Sequence, residues 1–460
     1  MSWAVRVIRN RYVDSVRLMQ VAQAVRAHDG VTRAEVAMGT PANLAALGVE
    51  AEASPTDVVI AVQGGGDGAL DAAEAELAAP AASADGAAVS EPPRSLLGSG
   101  ANLALISLPG EYAVLEAHRA LTAGMHVFLF SDHVSAADEV ELKRRGAERG
   151  LLVMGPGCGT AMLGEVGLGF ANVVRSGTVG IVAAAGTGAQ EAAVLLDAAG
   201  VGVSQIVGVG GRDLSADVGG IMFREGMQVL AADDATDTLL LVSKPPAHEA
   251  VQRLGEVDVA GKRVVAAFVG WDGAAAPFEI HPTLDAGAYA AAEWQPPEFG
   301  CDVPRREGRL LGLFSGGSLA HEAVTVLAPQ LGRIGGNAGD GGDEGHVIYD
   351  LGEEEYTQGR PHPMVDLEVR TRMLDEAGDD VGCVLLDVVL GHGSHADPAG
   401  GLAPALARLA ADRPVIAHVC GTRADPQDAA RQEQTLREAG VIVAPTNATA
   451  ARLAAQAVAG

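Results

Sequence analysis

The chain has 460 residues, far above the ~250–300 residues at which one hydrophobic core usually divides, so we expect several domains. Hydrophobic residues make up 48% and charged residues 20%, which is typical of a globular α/β protein and excludes a collagen-like or disordered chain. The formal net charge of −27 and the aromatic content of 3% argue against nucleic acid and anionic membranes as partners.

The N-terminal segment, residues 1–68, is predicted to form a small β-α-β unit. Residues 3–9 and 31–38 have the pattern of strands, and residues 12–28 carry apolar side chains at helical spacing. Residues 69–97 are rich in alanine and proline and show no periodic apolar face. We therefore interpret residues 69–97 as a flexible linker.

Residues 98–175 alternate short apolar runs with amphipathic stretches of helical length. Strands separated by helices of this length favour a parallel sheet that is covered on both faces. We expect a Rossmann-like domain here.

The remaining chain predicts two flavodoxin-like domains, at residues 176–293 and 308–460, joined by a proline-containing linker at residues 294–307. In each domain a strand is followed by a glycine loop and an amphipathic helix, and further strands follow at similar intervals. The class predicted for the whole chain is α/β with parallel sheets.

Two glycine motifs support a duplication. The segment AGTGAQEA begins at Ala185, and the segment GGSLAHEA begins at Gly316, at an offset of 131 residues. The segments GVGG at 208–211 and GDGG at 339–342 have the same offset. Two motifs that share one spacing indicate a repeated domain.

The glycine loops are the main candidates for binding phosphate or another small anion. In open parallel sheets, ligands bind beyond the carboxyl ends of the strands, where the next helix offers unpaired N–H groups. The candidate residues are Gly186, Thr187 and Gly188 in the first loop and Ser315, Gly316, Gly317 and Ser318 in the second. The alternative is that each loop is only a tight strand-to-helix turn. Neither loop ends in the Lys-Ser or Lys-Thr pair of an ATP-binding P-loop.

A third glycine segment, Gly210-Gly211-Arg212, also follows a predicted strand. The guanidinium of Arg212 could bind a phosphate or a carboxylate through a bidentate pair of hydrogen bonds. An ion pair between Arg212 and Asp213 on a solvated loop fits the sequence equally well.

The cysteines lie far apart and form no CxxC pair, which argues against both a disulfide framework and a zinc module. Together with an N-terminus that lacks an apolar signal segment, they favour a cytoplasmic location. Cys158 lies between Gly157 and Gly159, whose N–H groups are a candidate anion nest. Cys158 itself is either a small buried filler or a nucleophile.

Two polar loops near the C-terminus are further candidates. His392 lies in HGSHAD, but no second cluster has metal-ligand spacing, so we expect a polar ligand loop and no metal. Arg360 and His362 lie in GRPHPMVD, where two prolines fix the backbone around polar side chains. This segment is a candidate ligand loop, with a structural corner as the alternative.

Several of these segments carry a family resemblance. GPGCGT, AGTGAQEA and GVGGRD resemble the α subunit of succinyl-CoA synthetase and the wider acyl-CoA synthetase superfamily. The resemblance is stronger to the FdrA family, on FSGGS, DLGEEE, GRPHPMVD, DVVLGHG and VCGT followed by ADPQ. It spans essentially the whole chain outside the linker. It implies a CoA-binding-type domain followed by two ligase-like domains.

The sequence departs from succinyl-CoA synthetase at the phosphorylated histidine. Relatives of that type carry this histidine after the strand that corresponds to residues 264–270. Here Trp271 and Asp272 follow that strand, and the next histidine along the chain is His281. We therefore expect no phosphohistidine.

The resemblance to FdrA implies one subunit of a hetero-oligomeric carbamoyltransferase of the oxamate carbamoyltransferase type, in heterocycle or purine catabolism. Such an enzyme interconverts an N-carbamoyl compound plus phosphate with carbamoyl phosphate plus an amide or amine. Phosphate or carbamoyl phosphate is then the ligand, a small anionic substrate, and no tightly bound cofactor is implied. One alternative is a subunit of a nucleotide-dependent acyl-CoA synthetase, which would bind CoA or a nucleotide. The other is a non-catalytic scaffold subunit.

Overall fold

The structure is a computed structural model, and it describes the following residues: 3–11, 13, 15–26, 28, 30–79, 100–271, 273, 276–357 and 360–458. The chain divides into two compact units, Met1–Gly100 with Thr357–Pro361, and Ala101–Tyr356 with His362–Gly460. Residues 80–97 of the predicted linker lie outside the described residues, as does Gly359 of the GRPHPMVD segment. In the part of the chain that is described, no helix is long and apolar enough to cross a bilayer.

The first unit is built around one antiparallel sheet. Its elements are β1 (Ala4–Ile8), α1 (Ser15–Arg26), β2 (Val31–Met38), α2 (Pro41–Leu47), β3 (Val58–Gly64) and α3 (Gly66–Ala78). β3 lies between β1 and β2 and is antiparallel to both. The elements of the predicted β-α-β unit are present, but β3 separates its two strands. This is the split arrangement of ferredoxin-like folds.

Helix α3 corrects the predicted linker, because residues 69–78 are helical and belong to the first unit. Ala69, Leu70, Ala73 and Leu77 are buried on one face of α3 and pack in the core of the sheet. Alanine is the strongest helix former, and its small side chain lets a helix pack closely on strands. Because the buried face of α3 consists largely of alanine, its sequence has the composition of a low-complexity linker, and only the contacts with the sheet show that it is a helix.

The second unit begins with a parallel sheet in the order β4-β5-β6. Its elements are β4 (Leu103–Ile106), α4 (Gly110–Thr122), β5 (His126–Leu129), α5 (Ala136–Ala147) and β6 (Val153–Met154). The hairpin of β7 (Thr160–Leu163) and β8 (Val166–Gly169) joins the next sheet instead, through antiparallel pairing of β7 with its edge strand. The sheet of the Rossmann-like region therefore ends before residue 160, earlier than the predicted boundary at 175.

Two further sheets follow, each with helices between its strands. The first has β9 (Ser176–Ala183), α6 (Gly186–Ala198), β10 (Val203–Gly208), α7 (Ile221–Ala232), β11 (Thr238–Ser243), α8 (His248–Leu254), β12 (Arg263–Phe268), β13 (Glu279–His281) and α9 (Leu284–Ala291). The second has β14 (Arg309–Phe314), α10 (Gly317–Leu331), β15 (Val347–Asp350), α11 (Glu354–Thr357), α12 (Glu368–Asp375), β16 (Val381–Val389), α13 (Pro398–Ala410), β17 (Val415–Cys420), α14 (Ala429–Glu438), β18 (Ile442–Ala444) and α15 (Asn447–Val458).

The strand orders confirm the predicted pair of flavodoxin-like domains. The parallel strands run β10-β9-β11-β12-β13 in the first sheet and β15-β14-β16-β17-β18 in the second. Numbered within each domain, both orders read 2-1-3-4-5, which is the flavodoxin order. We call these the first and second flavodoxin-like domains.

Only one of the two shared glycine motifs reflects the repeat. Gly186 and Gly317 are equivalent, because each is the first residue of the helix after strand 1 of its domain. The segment 208–211 follows strand 2 of its domain, whereas 339–342 precedes strand 2 of the other. The shared spacing of this second pair is therefore a coincidence. A glycine-rich stretch before β15 produces it.

One hydrophobic core spans both flavodoxin-like domains. Helices α6, α9, α10 and α15 contribute buried residues to the same cluster as strands of both sheets. The facing helix surfaces are rich in alanine, including Ala189, Ala193, Ala320 and Ala454, all with 0–1% exposure. Small side chains let helix backbones approach closely, which brings the N-terminal ends of α6 and α10 together.

Candidate anion-binding site

The two predicted glycine loops meet where the flavodoxin-like domains join. The backbone N–H of Ser318 donates to Oγ1 of Thr187 across 3.3 Å. A Cβ atom on Gly316 would lie 3.0 Å from Cβ of Thr187, and one on Gly188 would lie 3.4 Å from Cβ of Ser318. The loops approach so closely that a side chain on Gly316 would displace Thr187, whereas the distance from Gly188 to Ser318 is that of ordinary contact.

The first loop keeps its backbone donors available. Among the described residues, no protein acceptor receives a hydrogen bond from the N–H groups of Gly186, Thr187 or Gly188. These groups belong to the first turn of α6, a helix of 13 residues, where unpaired N–H groups and the helix dipole favour an anion. Oγ1 of Thr160 lies 3.6 Å from the position of a Cβ on Gly186. The first loop therefore retains the features of an anion cradle.

The second loop uses several of its donors within the protein, so the prediction that it binds an anion depends on the N–H of Gly317, which has no acceptor among the described residues. The carboxylate of Asp387 accepts the N–H groups of Ser315 at 2.8 Å and Gly316 at 2.7 Å, and the Ser315 hydroxyl at 3.0 Å. The N–H of Ser318 is already bound to Thr187. The Asp387 carboxylate thus takes up the donors of Ser315 and Gly316, which precede the first turn of α10.

Asp387 is itself held by a buried arginine. Nη2 of Arg370 lies 3.0 Å from the Asp387 carboxylate, and Nη1 donates to the Asp387 carbonyl at 2.7 Å. The exposed fractions of the two residues are 2% and 0%. The Arg370–Asp387 pair thus fixes the second loop at Ser315 and Gly316.

Two charged groups lie close to Gly317. A Cβ on Gly317 would collide with Oδ2 of Asp350 and would lie 3.5 Å from Nζ of Lys244. Asp350 ends β15, is 5% exposed, and accepts the N–H of Gly352 at 2.9 Å. Burial raises the pKa of Asp350 to about 6, although Lys244 and the Gly352 N–H act in the opposite direction.

His362 lies beside the same cluster. Its ring centroid is 5.7 Å from that of Phe170, and its Nδ1 accepts the N–H of Met364 at 3.2 Å. Burial lowers the pKa of His362 to about 4, so the ring is neutral at physiological pH. Nε2 lies 2.9 Å from the position of a Cβ on Gly352, which places the ring next to the turn after Asp350.

Arg212 is bound to protein groups. Its Nε donates to Glu139 at 3.0 Å, and its Nη2 donates to the Val134 carbonyl at 2.6 Å. Glu139 also pairs with Lys143, which pairs with Asp213, each at 2.7 Å and with 0% exposure. This network ties the segment after Gly210 and Gly211 to α5. In the structure the guanidinium of Arg212 binds Glu139 and the Val134 carbonyl, whereas the sequence suggested that it binds an anion.

Backbone N–H groups of the predicted anion nest at residues 157–159 already donate to protein carbonyls. The N–H of Gly157 donates to the Ser131 carbonyl at 2.9 Å, and that of Cys158 donates to the Leu129 carbonyl at 3.2 Å. The carbonyl of Gly159 accepts from Phe170. Burial raises the pKa of the Cys158 thiol to about 12. Cys158 therefore has the properties of a buried filler and not of a nucleophile.

The remaining candidates, His392 and Arg360, have no recorded contact with the two glycine loops among the described residues. His392 is exposed, and its backbone pairs with Ala171 in an isolated bridge. Arg360 is exposed and belongs to the segment that is grouped with the first unit. No group of three or more potential metal ligands is present in the part of the chain that the structure describes.

A second polar cluster crosses the junction of the flavodoxin-like domains. Oε2 of Glu191 on α6 lies 2.8 Å from Nε2 of His418 on β17, and both side chains are buried. Burial lowers the pKa of His418, but the pairing with Glu191 outweighs it and raises the pKa to about 9. The side chain of Glu322 accepts from Asn447 at 2.8 Å in the same region. The contact between Glu191 and His418 holds α6 against the second domain, whereas that between Glu322 and Asn447 joins α10 to α15.

The comparisons with known proteins agree with this architecture. A model of the family described as CoA-ligase matches residues 313–457, and a model described as AllF, heavy metal-associated domain matches residues 1–93. The uncharacterized protein YahF of Escherichia coli is 34% identical over 509 residues, which cover 99% of this chain and 98% of that protein.

This chain belongs to the YahF family. Within the family the second flavodoxin-like domain is the CoA-ligase domain, since the CoA-ligase match coincides with it. Only one histidine, His28, and no cysteine occur in residues 1–93, so this segment lacks the thiolate ligands that soft heavy metals prefer.

More distant relatives are CoA ligases. The α-2 subunit of a mitochondrial ADP-forming succinate–CoA ligase from Trichomonas vaginalis is 30% identical over 185 residues, which cover 38% of this chain and 58% of that subunit. This chain thus spans little more than half of that relative. A dinucleotide-forming acetyl-coenzyme A synthetase from Ca. Korarchaeum cryptofilum covers 79% of this chain and is itself covered to 84%, with 15% identity and a TM-score of 0.34.

Three site residues escaped the sequence reasoning: Lys244, Asp350 and Asp387. Asp350 and Asp387 each lie in or at the end of an apolar strand, where a buried carboxylate is unusual and signals a specific partner. Lys244 directly follows an apolar strand in a chain that has only three lysines. These signals were present in the sequence, but their convergence depends on contacts between distant segments.

Proposed function

We propose that this chain is a subunit of a carbamoyltransferase that interconverts an N-carbamoyl compound plus phosphate with carbamoyl phosphate plus an amide or amine. The resemblance to the FdrA family supports this assignment. The observation that carries it is the first turn of α6, where the N–H groups of Gly186, Thr187 and Gly188 have no acceptor among the described residues. A negatively charged chain would need such a local device to bind phosphate.

The chemistry matches donors of this kind. In the direction of phosphorolysis, a phosphate oxygen attacks the carbamoyl carbon and forms a tetrahedral oxyanion, and the carbon–nitrogen bond then breaks as the nitrogen takes up a proton. Preorganised N–H donors stabilise such an oxyanion, and orientation of the two reactants lowers the barrier further. No phosphorylated enzyme intermediate is needed.

The segment after β12 supports a route without a phosphohistidine. The sequence from Trp271 to Phe278 contains no histidine, and Nε2 of His281 is paired with Glu279 at 2.8 Å. A transfer in which phosphate itself attacks the substrate is consistent with this segment.

The test is an assay of the complex reconstituted with its partner subunits. Formation of carbamoyl phosphate from an N-carbamoyl substrate should require both phosphate and this chain. A complex that turns over without phosphate, or a complex that retains full turnover without this chain, would refute the proposal.

The CoA-ligase match to residues 313–457 favours a second candidate, a subunit of a nucleotide-dependent acyl-CoA synthetase. That candidate predicts a CoA thioester when the same complex is supplied with CoA, an acid and ATP. The two assays on one preparation distinguish the candidates.

A further inference from the structure

The three lysines of this chain differ in their contacts. Nζ of Lys143 binds Glu139, Asp213 and the Val209 carbonyl. Nζ of Lys262 donates to the carbonyls of Leu230 at 3.0 Å and Asp233 at 2.6 Å. Lys244 has neither a hydrogen bond nor an ion pair with any residue that the structure describes, although it is partly buried.

Lys244 lies beyond the carboxyl end of a central parallel strand, which is where ligands bind in open α/β sheets. It directly follows β11, the third strand of the first flavodoxin-like domain, which pairs with β9 and β12 in the middle of the sheet. Its Nζ nevertheless reaches the second domain, 3.5 Å from the position of a Cβ on Gly317. Lys244 is thus a cation from one domain beside the glycine loop of the other.

Asp350 also lies against Gly317, but no ion pair joins it to Lys244 among the described residues. Its carboxylate is turned to the Gly352 N–H at 2.9 Å. The nearby side chain of His321 has a buried Nε2 without a hydrogen-bond partner in the described structure. Burial and, to a smaller extent, the charge of Lys244 lower the pKa of His321. In the part of the chain that the structure describes, Lys244 therefore has no ion-pair partner, although its charge acts on the nearby Asp350 carboxylate.

We propose that Lys244 binds the phosphate oxyanion of the reaction and that Asp350 transfers the proton that the reaction requires. This inference rests on the proposed carbamoyltransferase function. The phosphate hydroxyl gives its proton to the Asp350 carboxylate while its oxygen forms a bond to the carbamoyl carbon. Asp350 then gives this proton to the departing nitrogen as the carbon–nitrogen bond breaks. The step needs no oxidant, reductant or further reactant.

The charges on the two residues suit these roles. A lysine ammonium is a compact point charge that binds phosphate oxygens strongly. A carboxyl group with a pKa near the working pH is an efficient proton carrier, and Asp350 has a pKa of about 6 because of its burial. Phosphate bound to Lys244 would partly cancel the positive charge that lowers this pKa.

The first test is lysine labelling, because the chain offers its own internal controls. The purified full-length chain is treated with a limiting amine-acetylating reagent, and the extent of labelling at Lys244 and Lys262 is read by mass spectrometry. Lys244 should react faster than Lys262, and phosphate at ten times its Kd should slow labelling of Lys244 about tenfold. Potassium chloride at the same ionic strength should have no such effect. Equal labelling of Lys244 with phosphate and with chloride would overturn the proposal.

Variants then separate the two roles. Lys244→Met should weaken phosphate binding, measured by calorimetry, by about tenfold to a hundredfold, since one charge-assisted contact is lost. Lys244→Arg should retain part of the affinity, and Lys262→Arg is the matched control with unchanged affinity. Unchanged phosphate affinity in Lys244→Met, with a thermal unfolding curve like that of the wild type, would contradict the role of Lys244.

Asp350→Asn should bind phosphate at least as tightly as the wild type, because a negative charge is removed. In the reconstituted complex it should lose most of kcat, and the dependence of kcat on an ionisation near pH 6 should disappear. An Asp350→Asn complex that retains kcat and this pH dependence would contradict the proton-transfer role. Protection of Lys244 by phosphate in a complex that makes no carbamoyl phosphate would refute the proposed function while supporting the anion site.

Discussion

The buried pair of Asp387 and Arg370 should control the stability of the second flavodoxin-like domain. Replacing Asp387 with Asn keeps the shape of the side chain but leaves the Arg370 guanidinium without a counterion at 2% exposure. It also weakens three contacts to Ser315 and Gly316 that fix the second loop. Breaking a buried ion pair on one side costs about 3–5 kcal/mol, which is a large part of the total stability of a domain.

Urea unfolding followed by circular dichroism, together with hydrogen exchange of peptides from residues 309–331, should show this loss in Asp387→Asn. The change should be confined to the transition that includes the second flavodoxin-like domain, because the chain has several domains and need not unfold in one step. Arg370→Met alone should also destabilise, since Asp387 then remains buried without its partner.

The double variant Asp387→Asn with Arg370→Met decides between a coupled pair and two independent residues. We expect it to be more stable than the sum of the single effects implies, by about 2 kcal/mol or more, because no buried charge is left unpaired. Additive effects within about 0.5 kcal/mol would refute the reasoning, since independent residues show no coupling.

Three further predictions concern the rest of the second unit. Because Glu191 raises the pKa of His418 to about 9, the stability from this pair should be complete below pH 6.5 and should be lost as the pH rises through 9, by up to about 3 kcal/mol in thermal or urea unfolding. Incubation with radiolabelled ATP or carbamoyl phosphate should leave no acid-labile label on the chain, and retained label that is lost in His281→Ala would contradict a route without a phosphohistidine. Arg212→Ala should lower the melting temperature without changing phosphate affinity by more than about twofold, and a larger loss of affinity would return Arg212 to the anion site.

Periodicity and glycine placement were sufficient to predict the two flavodoxin-like domains. Apolar runs followed by glycine and an amphipathic stretch reflect local steric rules, so β9 with α6 and β14 with α10 could be read directly. Helix α3 was missed because its buried face consists largely of alanine, which carries little periodic signal. Strand β3 was missed because its pairing with β1 and β2 joins segments that are distant along the chain.

The candidate site could be predicted only in part. The first loop was predicted because glycine directly after a strand lets the backbone at the start of the next helix approach a ligand. The internal partners of the second loop could not be anticipated, since Asp387 lies 72 residues from Ser315 and nothing local links them. The same reason explains Arg212, whose partner Glu139 lies 73 residues away. From sequence alone, a charged residue in a glycine loop can be assigned to a ligand. Only the fold shows whether another protein group already pairs with that charge.

The most direct test of the proposed function is the rate of carbamoyl phosphate formation by the reconstituted complex as phosphate concentration is varied. With the wild-type chain, we expect saturable dependence on phosphate and no requirement for CoA or a nucleotide. With Lys244→Met, the KM for phosphate should rise by about tenfold to a hundredfold, while the KM for the N-carbamoyl substrate changes little. Formation of a CoA thioester by the same complex, with no carbamoyl phosphate at any phosphate concentration, would contradict the account.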